Sequence, residues 1–149
     1  MREIGQRARS LSDDIIRNRL LPRMQAELPG VAEAMLNNNK PLLDLKEREF
    51  IFSGKEPSIN RYESGDAFAP HTDDYDITVN ILLSDPGVFS GAGTAFYTQN
   101  VGGTKDEEAS VRIEPQQGAA VVFNGQVWHE GLAVTDGTSH MYVASFAIV

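Results

Sequence analysis

The sequence TVNILLSDPGVFSGAGTAFY, residues 78–97, decides the fold class of this chain. Apolar and aromatic residues fill a run at 77–83 and another at 94–98, and turn-forming Ser, Asp, Pro and Gly lie between them. Short runs bounded by turn residues are typical of β-strands. The stretch therefore predicts two strands joined by an irregular connection.

Runs of the same kind extend in both directions from this stretch. Strands are predicted near 48–53, 58–63, 67–72, 77–83, 94–98, 109–114, 119–124, 129–134 and 140–148. Many short strands at this spacing indicate a β-sandwich or barrel. We therefore expect a mainly β (α+β) fold with its core over 58–148.

Residues 1–40 follow a helical pattern instead. Apolar residues at helical spacing predict a helix over 11–28, which Pro22 should kink or divide into two. A short helix is predicted over 31–36, and the asparagines at 37–39 are predicted to form the loop that ends it. These helices should support the β-rich part from outside.

The length of 149 residues and a hydrophobic content of 41% suit one core, so we expect a single domain over 1–149. The sequence shows neither a membrane-spanning apolar run nor a signal peptide, so a cytoplasmic protein without a membrane partner is expected. Cysteine is absent. Any metal would therefore be held by imidazole and carboxylate groups.

The net charge of −8 is unevenly distributed. Residues 1–60 carry 10 Lys/Arg and 9 Asp/Glu, whereas residues 61–149 carry 3 and 12. A nucleic-acid groove needs clustered Lys and Arg, so we expect no nucleic-acid partner. The acidic half mildly favours a neutral or basic substrate, but a role in solubility is the preferred explanation.

The three histidines, His71, His129 and His140, are the candidates for an imidazole site. His71 and Asp73 are two residues apart in a predicted strand, so their side chains project from the same face. His129 begins a later strand; it is compatible both with the same pocket and with a core position. Two histidines and one carboxylate on one face of iron(II) leave adjacent positions open for a chelate and O₂.

Several motifs, in this order and spacing, carry a resemblance to a known family. They are Arg61-Tyr62, Gly65, His71-Thr72-Asp73, the stretch 78–97, the stretch EPQQGAAVVFNGQVWHEGLAVTDGT at 114–138, and the closing YVASF. Together they resemble the prolyl 4-hydroxylase-like branch of the 2-oxoglutarate/iron(II)-dependent oxygenase superfamily. The resemblance implies a double-stranded β-helix (jelly-roll) with N-terminal helices packed on the outside.

The resemblance also implies an enzyme, a dioxygenase that hydroxylates an unactivated C–H bond. Fe(II) and 2-oxoglutarate would be its cofactors and O₂ its cosubstrate, with His71, Asp73 and His129 as catalytic metal ligands. The implied substrate is a prolyl or other amino-acid or peptide group, and a small molecule remains open.

The chain departs from the family where relatives hold the distal carboxylate of 2-oxoglutarate with Arg or Lys, because Ser139 occupies that position. A buried carboxylate without a cation is unfavourable. Ser139, Thr138 and Tyr62 are candidates to replace the cation by hydrogen bonds. His140 is a candidate if a bulge turns it inward, although strand alternation favours a packing or surface role for it. Arg112 or an N-terminal basic residue is a third possibility.

Two rival interpretations remain open. One is an iron oxygenase that takes a different 2-oxo acid, or a substrate that chelates the metal itself. The other is a catalytically silent jelly-roll binding module, against which the intact set of metal ligands argues. Trp128, beside His129, is compatible with a pocket wall and with simple packing.

Overall fold

The computed structural model describes residues 2–36, 48–100 and 102–149. Helix α1 (Arg2–Asp14) continues through a π-helical segment (Ile15–Leu20) into α2 (Leu21–Glu27), and α3 spans Pro29–Leu36. Pro22 lies in the first turn of α2, where a helix tolerates the missing N–H. The predicted division at Pro22 is confirmed, although helix begins earlier than residue 11. The predicted loop at 37–39 lies outside the described residues.

The rest of the described chain is mainly β-strand. In chain order the strands are β1 (Phe50–Phe52), β2 (Ser58–Glu63), β3 (Phe68–His71), β4 (Ile77–Leu82), β5 (Phe89–Gly91), β6 (Thr94–Phe96), β7 (Val111–Ile113), β8 (Ala120–Asn124), β9 (His129–Gly131) and β10 (Val134–Ile148). Each predicted strand has a counterpart. Strand β5 was not predicted, and β10 begins at Val134 instead of residue 140.

The strands form two antiparallel sheets. The larger sheet has the order β1-β10-β4-β8, with β2 and β5 also paired to β10. The smaller sheet has the order β3-β9-β6-β7. This pair of sheets with helices at the N-terminus confirms the predicted mainly β, jelly-roll fold.

Strand β10 has one face toward the hydrophobic core and the other toward the space between the two sheets. Tyr142, Ala144 and Phe146 point to the helices, where they are buried in one cluster with Ile16 and Leu21. Successive side chains of a strand point to opposite faces, so the residues between them point to the inner side of the larger sheet. The helices therefore cover its outer face, and the inner face is left to line a cavity. Within the described ranges, no helix is long and apolar enough to cross a membrane.

Candidate metal centre

The three predicted metal ligands lie together between two neighbouring strands. His71 ends β3 and His129 begins β9, and these two residues lie opposite each other in the antiparallel pair. Asp73 follows β3, and its peptide N–H donates to the carbonyl of Gly125 at 2.7 Å. That hydrogen bond ties the segment after β3 to the turn that precedes β9.

The side chains of these residues converge on one point. Their potential ligand atoms all lie within 4.8 Å of one another. The Nε2 atom of His71 is 3.6 Å from Oδ1 of Asp73, and the Nε2 atom of His129 is 3.7 Å from Oδ2. These separations are longer than normal hydrogen bonds. They leave room for a metal ion bonded to all three side chains.

Both imidazole rings are oriented by backbone carbonyls. Nδ1 of His71 lies 2.7 Å from the carbonyl oxygen of Ala69, and Nδ1 of His129 lies 2.9 Å from that of Val127. A carbonyl only accepts, so Nδ1 carries the hydrogen and Nε2 presents its lone pair to the centre. Burial lowers the pKa of His129 below its ordinary value, partly opposed by the Val127 carbonyl. The ring is therefore neutral near pH 7, as a metal ligand must be.

The carboxylate of Asp73 is also held from behind. The hydroxyl of Thr78 donates to Oδ2 of Asp73 and lies 3.2 Å from the hydroxyl of Ser145. The peptide N–H of Ser145 in turn donates to the carboxylate of Glu56. Such outer partners fix the orientation of a ligand and raise metal affinity.

Sequence reasoning did not identify Thr78 or its strand neighbour Asn80 as site residues. Both are polar residues in the otherwise apolar strand β4, and they are two residues apart. Alternate positions of a strand share a face. Two polar residues on one face of a buried strand were therefore the available indication of a polar cavity.

The three candidate metal ligands line a cavity of about 150 Å³ between the two sheets. The larger sheet gives this cavity a polar surface, formed by Asn60, Tyr62, Thr78, Asn80, Ser139 and Ser145. The hydroxyl of Ser139 and Oδ1 of Asn80 are buried without a hydrogen-bond partner. Because such atoms are costly to leave unpaired, the cavity is suited to a polar ligand.

The four residues predicted to contact a cosubstrate fall into two groups. Tyr62 and Ser139 line the cavity, as cross-strand neighbours on β2 and β10. Thr138 and His140 do not line it. No bulge interrupts this part of β10, so His140 points away from Ser139, and its Nδ1 lies 3.4 Å from the hydroxyl of Ser84. The register shift that would bring His140 inward is absent.

Trp128 also lies outside the cavity lining. Its indole N–H donates to the carbonyl of Gly103 at 3.3 Å, so it packs against the connection between β6 and β7. Of the two roles considered for Trp128, packing is the one that agrees with the structure.

The cavity suits a metal better than it suits a dicarboxylate. Among the residues that the structure describes, no Lys or Arg lines it. Arg61 forms an ion pair with Glu63 outside it, and Arg112 is exposed on β7. Besides Asp73, the lining contains the carboxylates of Glu56 and Asp66. The three candidate ligands therefore fit iron(II), whereas the distal carboxylate of 2-oxoglutarate would meet no cationic partner in the described lining.

Comparisons with solved structures support the fold. A crystal structure of an oxidoreductase of the 2OG-Fe(II) oxygenase family from Burkholderia pseudomallei aligns with a TM-score of 0.52 and 19% identity, over 67% of this chain and 46% of that one. This chain thus spans less than half the length of that structure. Two further structures align less closely. An RmlC-like cupin protein from Desulfovibrio desulfuricans aligns with a TM-score of 0.36 and 14% identity, over 66% of this chain and 81% of that one. KdgF from Halomonas sp. aligns with a TM-score of 0.36 and 12% identity, over 74% of this chain and 91% of that one.

A search of curated proteins finds no match. The family model described as the 2OG-Fe(II) oxygenase superfamily matches residues 57–147, which is more than half of the chain. The matched segment contains His71, Asp73 and His129, together with every strand from β3 to β9. This chain therefore belongs to the 2OG-Fe(II) oxygenase superfamily.

Proposed function

We propose that the protein is an iron(II)-dependent dioxygenase that hydroxylates an unactivated C–H bond. Its catalytic metal ligands are His71, Asp73 and His129. The observation that carries this proposal is the convergence of two Nε2 atoms and one carboxylate on a single point. Two imidazoles and one carboxylate on one face of a non-haem iron(II) ion leave adjacent coordination positions open.

Bound iron(II) would supply O₂ activation, with a 2-oxo acid as the source of electrons, so that a substrate C–H becomes C–OH. The chain's first task is to hold the metal ligands rigidly. The backbone carbonyls of Ala69 and Val127 fix the two imidazoles, and the Thr78 hydroxyl fixes the Asp73 carboxylate. Rigid support of this kind sets the geometry at which a substrate must be placed.

The second task is to exclude water from the closed side of the centre. The side chain of His129 is 7% exposed, and the ring of Phe123 packs 4.6 Å from it, centroid to centroid. The side chain of His71 is 41% exposed. Substrate therefore approaches from the side of His71, while the side of His129 remains dry.

An amino-acid or peptide substrate, with a prolyl group as the leading candidate, is the specific form of this proposal. An aromatic surface on the open side of the metal centre supports this substrate class. Phe68 is 50% exposed, and its ring centroid lies 6.2 Å from that of His71 and 5.9 Å from that of Tyr62. A saturated ring or an aliphatic side chain packs favourably on such a surface.

Anaerobic titration with Fe(II), followed by calorimetry, tests the metal centre. His129→Ala should abolish iron binding. His140 lies outside the cavity, so the His140→Ala variant should bind iron like the unaltered protein. Peptides with and without proline, incubated with the iron-loaded protein, O₂ and 2-oxo acids, then test hydroxylation by the mass of one added oxygen atom. If the unaltered protein does not bind iron, the proposed function is wrong.

A further inference from the structure

Two buried polar atoms in the cavity have no hydrogen-bond partner in the protein. They are the hydroxyl of Ser139, a residue that is 1% exposed, and Oδ1 of Asn80. Both residues project from the inner face of the larger sheet, Ser139 from β10 and Asn80 from β4. A hydroxyl donates or accepts, whereas an amide oxygen only accepts. Asn80 lies opposite Val143 on β10, four residues from Ser139, so the two atoms are separate hydrogen-bonding positions along the cavity.

Apart from the two histidines, the charged side chains that line this cavity are acidic. Glu56 and Asp66 line the same cavity, and no Lys or Arg of the described chain does. Tyr62 is the cross-strand neighbour of Ser139, and these two carboxylates affect the pKa of its hydroxyl. Burial raises the pKa of the Tyr62 hydroxyl, a hydrogen bond from Asn60 opposes this rise, and the carboxylates of Glu56 and Asp66 raise the pKa further. A negative charge beside Ser139 is therefore disfavoured.

We infer that the cavity accepts a 2-oxo acid whose far end is uncharged and hydrogen-bonding, such as an amide or a hydroxyl, in preference to 2-oxoglutarate. This inference rests on the proposed function, because the metal is the point at which the 2-oxo acid end binds. A second carboxylate would only accept hydrogen bonds, so it could use the Ser139 hydroxyl as a donor but could not donate to that hydroxyl, whereas an amide or hydroxyl can do both. It would also add negative charge near Glu56 and Asp66 without a described cation to offset it.

The test compares two stable analogues that differ only at the far end. N-oxalylglycine copies the 2-oxo acid with both carboxylates, and N-oxalylglycinamide carries an amide in place of the distal carboxylate. Calorimetric titration into the Fe(II)-loaded protein without O₂ should show the amide binding about tenfold more tightly. Equal or tighter binding of the dicarboxylate overturns the inference, and so does the failure of both analogues to bind. In either case iron binding itself still supports the proposed function.

Variants test the electrostatic cause. Glu56→Gln removes one negative charge and keeps a side chain that can accept from Ser145, so it should strengthen N-oxalylglycine binding severalfold relative to binding of the amide. Glu63→Gln, on an exposed side chain outside the cavity, is the matched control. Ser139→Arg supplies the missing cation and should reverse the preference between the analogues. If Glu56→Gln behaves like Glu63→Gln, the inference fails even if Ser139→Arg does not fold.

Discussion

The Nε2 atom of His129 lies 3.7 Å from Oδ2 of Asp73, and the same oxygen accepts a hydrogen bond from the hydroxyl of Thr78. His129 belongs to the smaller sheet and Thr78 to the larger one. The carboxylate of Asp73 therefore lies between the two sheets, bonded to Thr78 of the larger one and close to His129 of the smaller one. Its orientation depends on both of them.

Thr78→Val should weaken metal binding about 10- to 100-fold, because Val has the shape of Thr but cannot hold the Asp73 carboxylate. Calorimetric titration with Co(II) or anaerobic Fe(II) measures this change. Thr94→Val is the control, since Thr94 is also buried in the cavity wall but its hydroxyl makes no hydrogen bond to Asp73. An equal loss in both variants would mean that general cavity polarity, and not support of Asp73, sets the affinity.

Metal should stabilise the folded protein only when Asp73 is intact. At a free metal concentration of about 100 times the dissociation constant, the free energy of unfolding should rise by about 2.7 kcal/mol. Asp73→Asn should remove most of this rise, whereas Asp74→Asn, on an exposed neighbouring side chain, should retain it. Urea denaturation with and without Co(II) provides the measurement. A metal-dependent rise in Asp73→Asn would place the ion elsewhere.

Gly125→Ala should disturb both stability and metal binding. A Cβ atom at Gly125 would lie 2.0 Å from the carbonyl oxygen of Tyr75 and 3.2 Å from Cβ of Asp73. We expect a loss of about 1–3 kcal/mol in the free energy of unfolding, because the backbone must move to relieve the overlap. Gly54→Ala meets no atom within 4 Å and should change little. Denaturation and Co(II) titration of both variants test this; unchanged metal affinity in Gly125→Ala would show that the turn does not position Asp73.

Phe146→Ala should lose about 3–5 kcal/mol of unfolding free energy, because it leaves a large cavity in the core. Phe146 is fully buried, and its ring lies 5.1 Å from that of Phe50 and 5.5 Å from that of Phe52. Ile59→Ala, at a side chain that is 66% exposed, should change stability by about 0.5 kcal/mol or less. Urea denaturation compares them. Similar small losses would mean that the helices and the larger sheet do not form one core.

The strand pattern was predictable wherever a strand is apolar enough to bury one face. It failed at β5 (Phe89–Gly91) and at the first part of β10, where Ser, Gly and Asp have little intrinsic preference for strands. These two segments are strands because they pair with each other. At Gly91 the backbone has a φ of 76°, and an added Cβ would lie 2.5 Å from the carbonyl of Ala133. Such pairing depends on partners that are distant in sequence.

The sequence by itself determined the fold class and the identity of the three candidate metal ligands. Strand alternation paired His71 with Asp73, and the resemblance to the oxygenase superfamily added His129. That these ligands bind iron stays a prediction. Only the tertiary structure decided what surrounds them, including the support of Asp73 by Thr78 and the presence of both Glu56 and Ser139 in the lining of one cavity. Thr78 and Ser139 lie on different strands, and the register between those strands, which depends on packing across the whole sheet, brings them into one cavity.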